Sequence, residues 1–311
     1  MAETRRMHFV PRTYLKYFAD ARGDQFFIHA LNKKTGNVFT PNIINVCNET
    51  DLYRLDGATA DDRQRIEVMY RELFEDGYDA IYMMLTDEAK LTVTMAERYD
   101  IISFVVSLYF RNNAWNNFFY KTMDDIYARA YNATKANNKD SFFFEEQEIS
   151  IAGKTLEQLQ KEDRERDRKM IAAGAMEYIF KLTRLRMSND VVTVVKTEDE
   201  ILTSDNPVIV QAENIKDRVI PLNPMNTLTL PINANHVLQL RPWGHQIDRT
   251  MLGRISEKSV MSTFYAEANN QTQFGQNGMF LLGSEVGIKN FKHDPTGELL
   301  KNNMRMKFSG K

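Results

Sequence analysis

The chain has 311 residues, 43% of them hydrophobic and 26% charged, enough apolar content to bury a core and too much to be disordered. Its 40 basic and 42 acidic residues leave a net charge of −2, which excludes a protein that coats nucleic acid by bulk charge. A single cysteine, Cys47, excludes an intrachain disulfide and a cysteine-based zinc site.

The segment from Arg5 to Phe18 is basic and aromatic, with four basic residues and no acid between Thr4 and Ala19. Pro11 disfavours helix at Val10 and suits the first turn of a helix that starts there. His8 then precedes a helix start, Arg12 and Lys16 share one face, and Leu15 and Phe18 turn inward. Phe26–Ile28 and Val38–Phe39 read as strands of a hairpin around the polar loop Leu31–Asn37.

Ile66, Met69, Tyr70, Leu73, Phe74, Ile81, Met84 and Leu85 repeat at helical spacing and predict one helix of about 20 residues. A second helix, Thr94 to Phe110, is apolar on nearly every face and so belongs at the centre. Asn112 and Asn113 interrupt it before a further helix to about Tyr131; Asn132–Ser141 reads as loop, and Ser141–Gly153 as strand. From Thr155 to Arg186 a charged stalk turns into an amphipathic helix. Six basic and five acidic residues between Lys154 and Lys169 cancel, as on a solvated face.

Past Asn189 short strands dominate: Val191–Val195, Glu200–Ser204, Pro207–Val210, Arg218–Leu222, Thr227–Ile232 and His236–Leu240. A last helix is expected over Asp248–Asn269, then a strand at Met279–Gly283. The expected fold class is α+β: a central helical layer of long amphipathic helices on a β-rich layer from the C-terminal third plus an N-terminal hairpin. No Gly- or Ser-rich linker divides the chain, so residues 1–311 read as one integrated domain, with a flexible basic tail at 299–311. The apolar run Ile101–Phe110 is half a membrane span and the start lacks an apolar leader, so the expected location is cytoplasmic, with no membrane partner.

Phosphate-binding glycine loops, HExxH and a nucleophile elbow are absent, and no metal-ligand spacing occurs. Arg22 and His29 match a loose R-x6-H ribonuclease spacing but fall on a turn and a strand. Asp294, Glu298 and Lys301 imitate a nuclease set beside a tail. Two segments remain as carriers of chemistry. The first is Met7–Phe18, with His8 as acid–base group and Arg12 and Lys16 as anion-binding residues. The second is Thr203–Val208, a polar turn that presents Ser204, Asp205 and Asn206. Arg111, closing the central apolar helix, is a further ligand-binding candidate, and Pro221–Pro224 reads as a structural turn.

His8-Phe9-Val10-Pro11 with Tyr14-Leu15, Asp51-Leu52-Tyr53, Arg111, Thr203–Val208 and Pro221-Leu222-Asn223-Pro224 together resemble the domain-of-unknown-function family 4238 of bacteria and fungi, over about residues 6 to 270. Asn223 stands where members often carry serine, which weakens any role for that side chain. The resemblance implies a mobile-element or antiviral-defence setting and little chemistry.

Two functions follow from the residues. One is a phosphodiester hydrolase, a nuclease-like effector in which His8 moves the proton and Asp205 orients it or holds a metal, with Arg12, Lys16, Arg111, Ser204 and Asn206 around the ligand. The other is a non-catalytic sensor that binds a phosphorylated ligand or a partner protein. The cofactor is open, with a divalent metal compatible; nucleic acid, a companion protein or a second copy are the partners to test. Both require His8 and Asp205 to share one positively lined cavity.

Overall fold

The computed structural model describes residues 5–296 apart from 56, 58, 145, 213–222, 224 and 243–247. The expected strand Arg218–Leu222, the Pro221–Pro224 turn except Asn223, and the basic tail lie outside the described residues.

The chain opens with β1 (Arg6–His8) and α1 (Arg12–Leu15), a single helical turn for which Pro11 is the N-cap at φ −60°, as its ring dictates. Then come β2 (Asp20–Arg22), β3 (Gln25–Phe27), β4 (His29–Asn32), β5 (Val38–Phe39) and β6 (Asn48–Thr50). β2 and β3 form a hairpin turned at Gly23, whose φ of +61° favours glycine. β4 pairs with β5, and β6 returns to pair with β1.

α2 (Ala60–Tyr70) starts at a capping box in which Thr59 and Asp62 exchange side-chain and backbone bonds. The helix predicted over Ile66–Leu85 is not continuous. Arg71–Glu75 forms a π turn, and α3 (Tyr78–Thr86) starts afresh after Gly77. α4 (Met95–Phe110), capped by Thr94 and Glu97, buries Ile101, Ile102, Ser103, Phe104 and Val106 on different faces, as a central helix must. Asn112 ends this run and caps α5 (Asn113–Ala136) by accepting from the Trp115 N–H. That helix takes in the first five residues of the expected loop, Asn132–Ala136. β7 (Ser141–Phe144) and β8 (Gln147–Ser150) form a hairpin before α6 (Leu156–Asn189), whose Thr155–Gln158 capping box fixes its start. Away from the main core, Met123, Tyr127, Ile149 and Leu159 bury one another between α5, α6 and this hairpin.

The β-rich layer comprises β9 (Asp190–Thr197), β10 (Thr203–Ser204), β11 (Ile209–Gln211), β12 (Thr227–Asn233), β13 (His236–Pro242) and β14 (Leu252–Glu257), then α7 (Ser259–Gly275), β15 (Phe280–Gly283) and α8 (Glu285–Asn290). One sheet runs β11-β12-β13-β9-β14, antiparallel except for the parallel pair β9–β14. A second runs β10-β15-β4-β5, so the N-terminal hairpin completes a sheet begun by C-terminal strands. The architecture is α+β.

The helix expected from Asp248 therefore begins eleven residues late, at Ser259. Leu252 and Ile255 are three apart and mimic helical spacing, but Leu252–Glu257 pairs along β9. Gly253 lies so close to that strand that a Cβ would meet Thr193 Oγ1 at 2.8 Å. A single core joins Tyr14 and Leu15 of α1, Phe104 and Val105 of α4, Leu182 of α6 and Val192, Leu230 and Leu238 of the large sheet. Full burial of each such side chain contributes about 1.5–3 kcal/mol.

An ion pair is enclosed where α6 runs into β9. Arg186 and Asp190 have fully buried side chains with Nη1 and Oδ2 3.0 Å apart. Arg186 also donates to the carbonyls of Asn226 and Asn223, and Arg98 donates to the Asp190 carbonyl. Asn223 Oδ1 closes a local turn by accepting from the Met225 N–H at 2.9 Å. Asn223, the described residue of the Pro221–Pro224 segment, thus lies with its carbonyl on a buried guanidinium.

Candidate functional site

His8 ends β1, where the strand lies against the break between α4 and α5. Its carbonyl accepts a hydrogen bond from Arg111, the residue that terminates α4. Arg111 is fully buried; its Nη1 reaches Glu75 Oε1 at 2.6 Å, and its guanidinium lies 4.5 Å from the Tyr70 ring centre. Tyr53 closes the arrangement by donating its hydroxyl to the Arg111 carbonyl at 2.7 Å. Burial opposes the guanidinium charge, but Glu75, Tyr53 and Glu67 outweigh it and raise the Arg111 pKa.

Around Arg111 several buried polar atoms lack a hydrogen-bond partner: His8 Nε2, Glu67 Oε2, Tyr70 OH and Arg111 Nε, with Thr13 Oγ1 nearby on α1. Buried polar groups are nearly always paired, so a group of this kind marks a place for water or a ligand. Glu75 connects it to a cleft of about 370 Å³ between α1, the β2–β3 turn, Asn42–Ile44 and the π turn. Arg12, Lys16 and Arg71 line this cleft, and so do Asp24, Glu75 and Asp76. Its charges balance, contrary to the basic pocket read from the N-terminal segment, because the β2–β3 turn and the π turn bring acids to it. Lys16 is occupied by Asp79 at 2.7 Å. Arg12 is exposed and has no hydrogen bond or ion pair among the described residues.

The Thr203–Val208 turn is built as a joint. Thr203 Oγ1 and the Tyr14 hydroxyl lie 2.7 Å apart, and Ser204 donates to Gln273 Oε1 at 2.6 Å. Asn206 Oδ1 accepts from Asn112 at 2.8 Å, while its own amide donates to Gln276 at 3.3 Å. Asp205 turns to a different neighbourhood. Its Oδ2 accepts from the Met279 N–H at 2.7 Å, and a Cβ on Gly278 would come within 2.2 Å of Oδ1. Burial raises the Asp205 pKa against the pull of the Met279 N–H and Lys33.

His8 and Asp205 thus share no hydrogen bond, and the partners of each belong to different elements. What the fold does bring together is the set of segments. Arg111 gathers His8 and Tyr53, its neighbour Asn112 holds Asn206, and Tyr14 holds Thr203. A family model described as protein of unknown function (DUF4238) matches residues 6–273. The chain belongs to that family. Neither a curated protein nor a solved structure matches it. In this DUF4238 chain the family-like segments carrying His8, Tyr53 and Asn206 meet at the Arg111–Asn112 junction, Tyr14 ties the first of them to Thr203, and Asn223 lies apart on Arg186.

The titration behaviour of the junction identifies the residue that sequence reasoning missed. Burial, Arg12 and Arg111 pull the His8 imidazole down from 6.5 to about 4, so it is neutral near pH 7. Burial pushes the Glu67 carboxyl from 4.5 up to about 7 against the attraction of Arg111. Glu67 is therefore the group poised to exchange a proton at neutral pH. Among the described residues no group of three or more His, Cys, Asp or Glu side chains is placed to hold a metal ion, and no helix is long and apolar enough to cross a membrane.

These shifts also make stability depend on pH, with opposite signs. A carboxyl raised on folding stabilises most below 4.5 and loses that contribution as pH rises through about 7. An imidazole lowered on folding stabilises above 6.5 and loses that contribution as pH falls through about 4. In Glu67→Gln only the second remains at this site. Its urea midpoint, relative to the parent chain, is expected to fall towards low pH more steeply between 6.5 and 4.5. Parallel curves would show that Glu67 titrates at an ordinary pKa.

Proposed function

We propose that the chain is a phosphodiester hydrolase, a nuclease-like effector whose centre is the Arg111 junction and its cleft. The supporting observation is the cluster of unpartnered buried polar atoms at His8, Glu67, Tyr70 and Arg111, with the Arg12 guanidinium unpaired among the described residues. Arg12 holds the phosphate oxygens and stabilises the charge that grows on them. Glu67, as the carboxylate, takes a proton from the attacking water as that oxygen bonds to phosphorus. The ester P–O bond breaks, the leaving oxygen takes a proton from solvent, and Glu67 returns its own to solvent. The neutral His8 supplies a hydrogen bond without adding charge, and Arg111 holds the backbone of His8 and the carboxylate of Glu75 in place.

A second reading, binding of a phosphorylated ligand without turnover, is favoured by the balanced charge of the cleft. One assay separates the two. Purified protein is incubated with RNA and DNA, with divalent metal and with chelator, across pH 5 to 9. Hydrolysis is expected to rise with pH around an apparent pKa near 7, the value to which Glu67 is pushed. Glu67→Gln is expected to slow it by about 10²–10⁴-fold, the usual worth of a positioned acid–base group. Retention without cleavage supports the binding reading, and cleavage unchanged in Glu67→Gln rejects the assignment of the proton-transfer group. For a defence effector, growth arrest on expression is expected to disappear in the same variant.

A further inference from the structure

On the other side of the α4–α5 break lies a second, larger cleft of about 600 Å³, within the range of small-molecule sites. Among the described residues that line it there is no Asp, Glu, Lys or Arg. Its walls are aromatic and amide side chains, chiefly Tyr109, Trp115, Phe118, Asn206 and Gln276. Among these described residues a charged ligand finds no counter-ion, whereas a flat, neutral, hydrogen-bonding one finds both kinds of contact it needs.

The amides are set in one direction. Asn112 Oδ1 is committed to the Trp115 N–H at 2.9 Å, so its amide nitrogen must donate, and it does so to Asn206 Oδ1 at 2.8 Å. That leaves Asn206 Nδ2 to donate to Gln276 Oε1 at 3.3 Å. The chain of bonds ends on the Gln276 amide nitrogen, a donor with no partner among the described residues. Asn112 and Asn206 are almost wholly buried, which fixes the relay, while Gln276 is half-buried at the end of α7. Trp115 packs edge-on to Phe110 at 4.8 Å and 85°, and meets Tyr109, Phe118 and Tyr178 at tilted or edge angles. None of these rings stacks flat on the indole.

We infer that this cleft binds a nucleobase, stacked against the Trp115 wall and accepting a hydrogen bond from the Gln276 amide. Every base offers a π face and a ring-nitrogen or carbonyl acceptor, and recognition of this kind needs no phosphate contact. A nucleic-acid substrate in the first cleft is compatible with this site, but the inference does not depend on hydrolysis.

The test uses the full, unsubstituted chain, since none of the ligands carries a phosphodiester bond and binding is read without turnover. Adenosine, guanosine, cytidine and uridine, their 5′-monophosphates, inorganic phosphate and glucose are each titrated at up to millimolar concentration by calorimetry. The expected result is that at least one nucleoside binds, its monophosphate binds equally well, and inorganic phosphate does not compete. Gln276→Leu is expected to weaken that binding about tenfold, the scale of one hydrogen bond with its partner left unpaired. Trp115→Ala is expected to weaken it by roughly tenfold or more. Should Trp115→Ala not fold, Gln276→Leu decides, since its side chain is at a helix end. Failure of all four nucleosides, binding of glucose in their place, or unaltered affinity in Gln276→Leu overturns the inference. Any of these leaves the hydrolysis assay free to succeed or fail by itself.

Discussion

Arg186→Met is expected to lower the unfolding free energy by about 3–5 kcal/mol, the range for removing one partner of a buried ion pair. The loss comes mostly from what stays behind. Asp190 has no exposed side-chain surface, and burial already pushes its carboxyl up to about 6 despite Arg186. Without the guanidinium it must be protonated or carry an uncompensated buried charge. The carbonyls of Asn223 and Asn226 lose their donor in the same step, so the connection into β12 loosens with α6. Urea unfolding followed by far-ultraviolet circular dichroism measures the change. Arg186→Met combined with Asp190→Leu is expected to recover part of the loss, because the stranded carboxyl is gone. If the single variant unfolds at the parental midpoint, the pair is not desolvated as described.

How far the sequence discloses this molecule depends on the range of the interactions involved. α4 was legible because an apolar surface on all sides admits only a central position. The starts expected at Thr94 and Thr155 fall on the N-caps of α4 and α6, because the capping boxes Thr94–Glu97 and Thr155–Gln158 are local, as is Thr59–Asp62 of α2. The helix from Asp248 fails because Leu252 and Ile255 stand three apart, as on a helix face, and only the pairing with β9 decides.

At the candidate site, segments that the sequence singles out do come into contact, though not in the relation expected. His8, Arg111 and Asn206 all converge on residues 111–112, while Asp205 faces Met279 and Lys33. Nothing in the spacing of His8 and Asp205 reports such a rotation of one side chain within a turn. Glu67 and Glu75 escaped notice for a different reason. On a regular helix through Ile66–Leu85 they fall among polar positions that read as solvent-facing. The π turn at Arg71–Glu75 takes up an extra residue and changes the phase of the helix, a feature common at functional sites. Glu75 is thereby turned onto a buried arginine that lies 36 residues further along the chain.

Arg111 is where the two halves of this picture can be tested together. Arg111→Met removes a buried cation that holds Glu75, the carbonyl of His8 and two aromatic faces, and a loss of about 3–5 kcal/mol is expected. Its effect on titration is the more specific readout. The positive charge lowers the pKa of both Glu67 and His8, so its removal is expected to raise both. Glu75→Gln is the counterpart: the Glu75 charge raises both values, and neutralising it is expected to lower both. Side-chain NMR titration of the two groups follows these shifts directly, and Arg111→Lys, which keeps the charge, supplies the comparison if the methionine variant is too unstable to study. Opposed movement in Arg111→Met and Glu75→Gln ties the four residues into one electrostatic unit. If Glu67 and His8 instead keep their values in both variants, Arg111 is a structural strut alone and the acid–base role assigned to Glu67 loses its support.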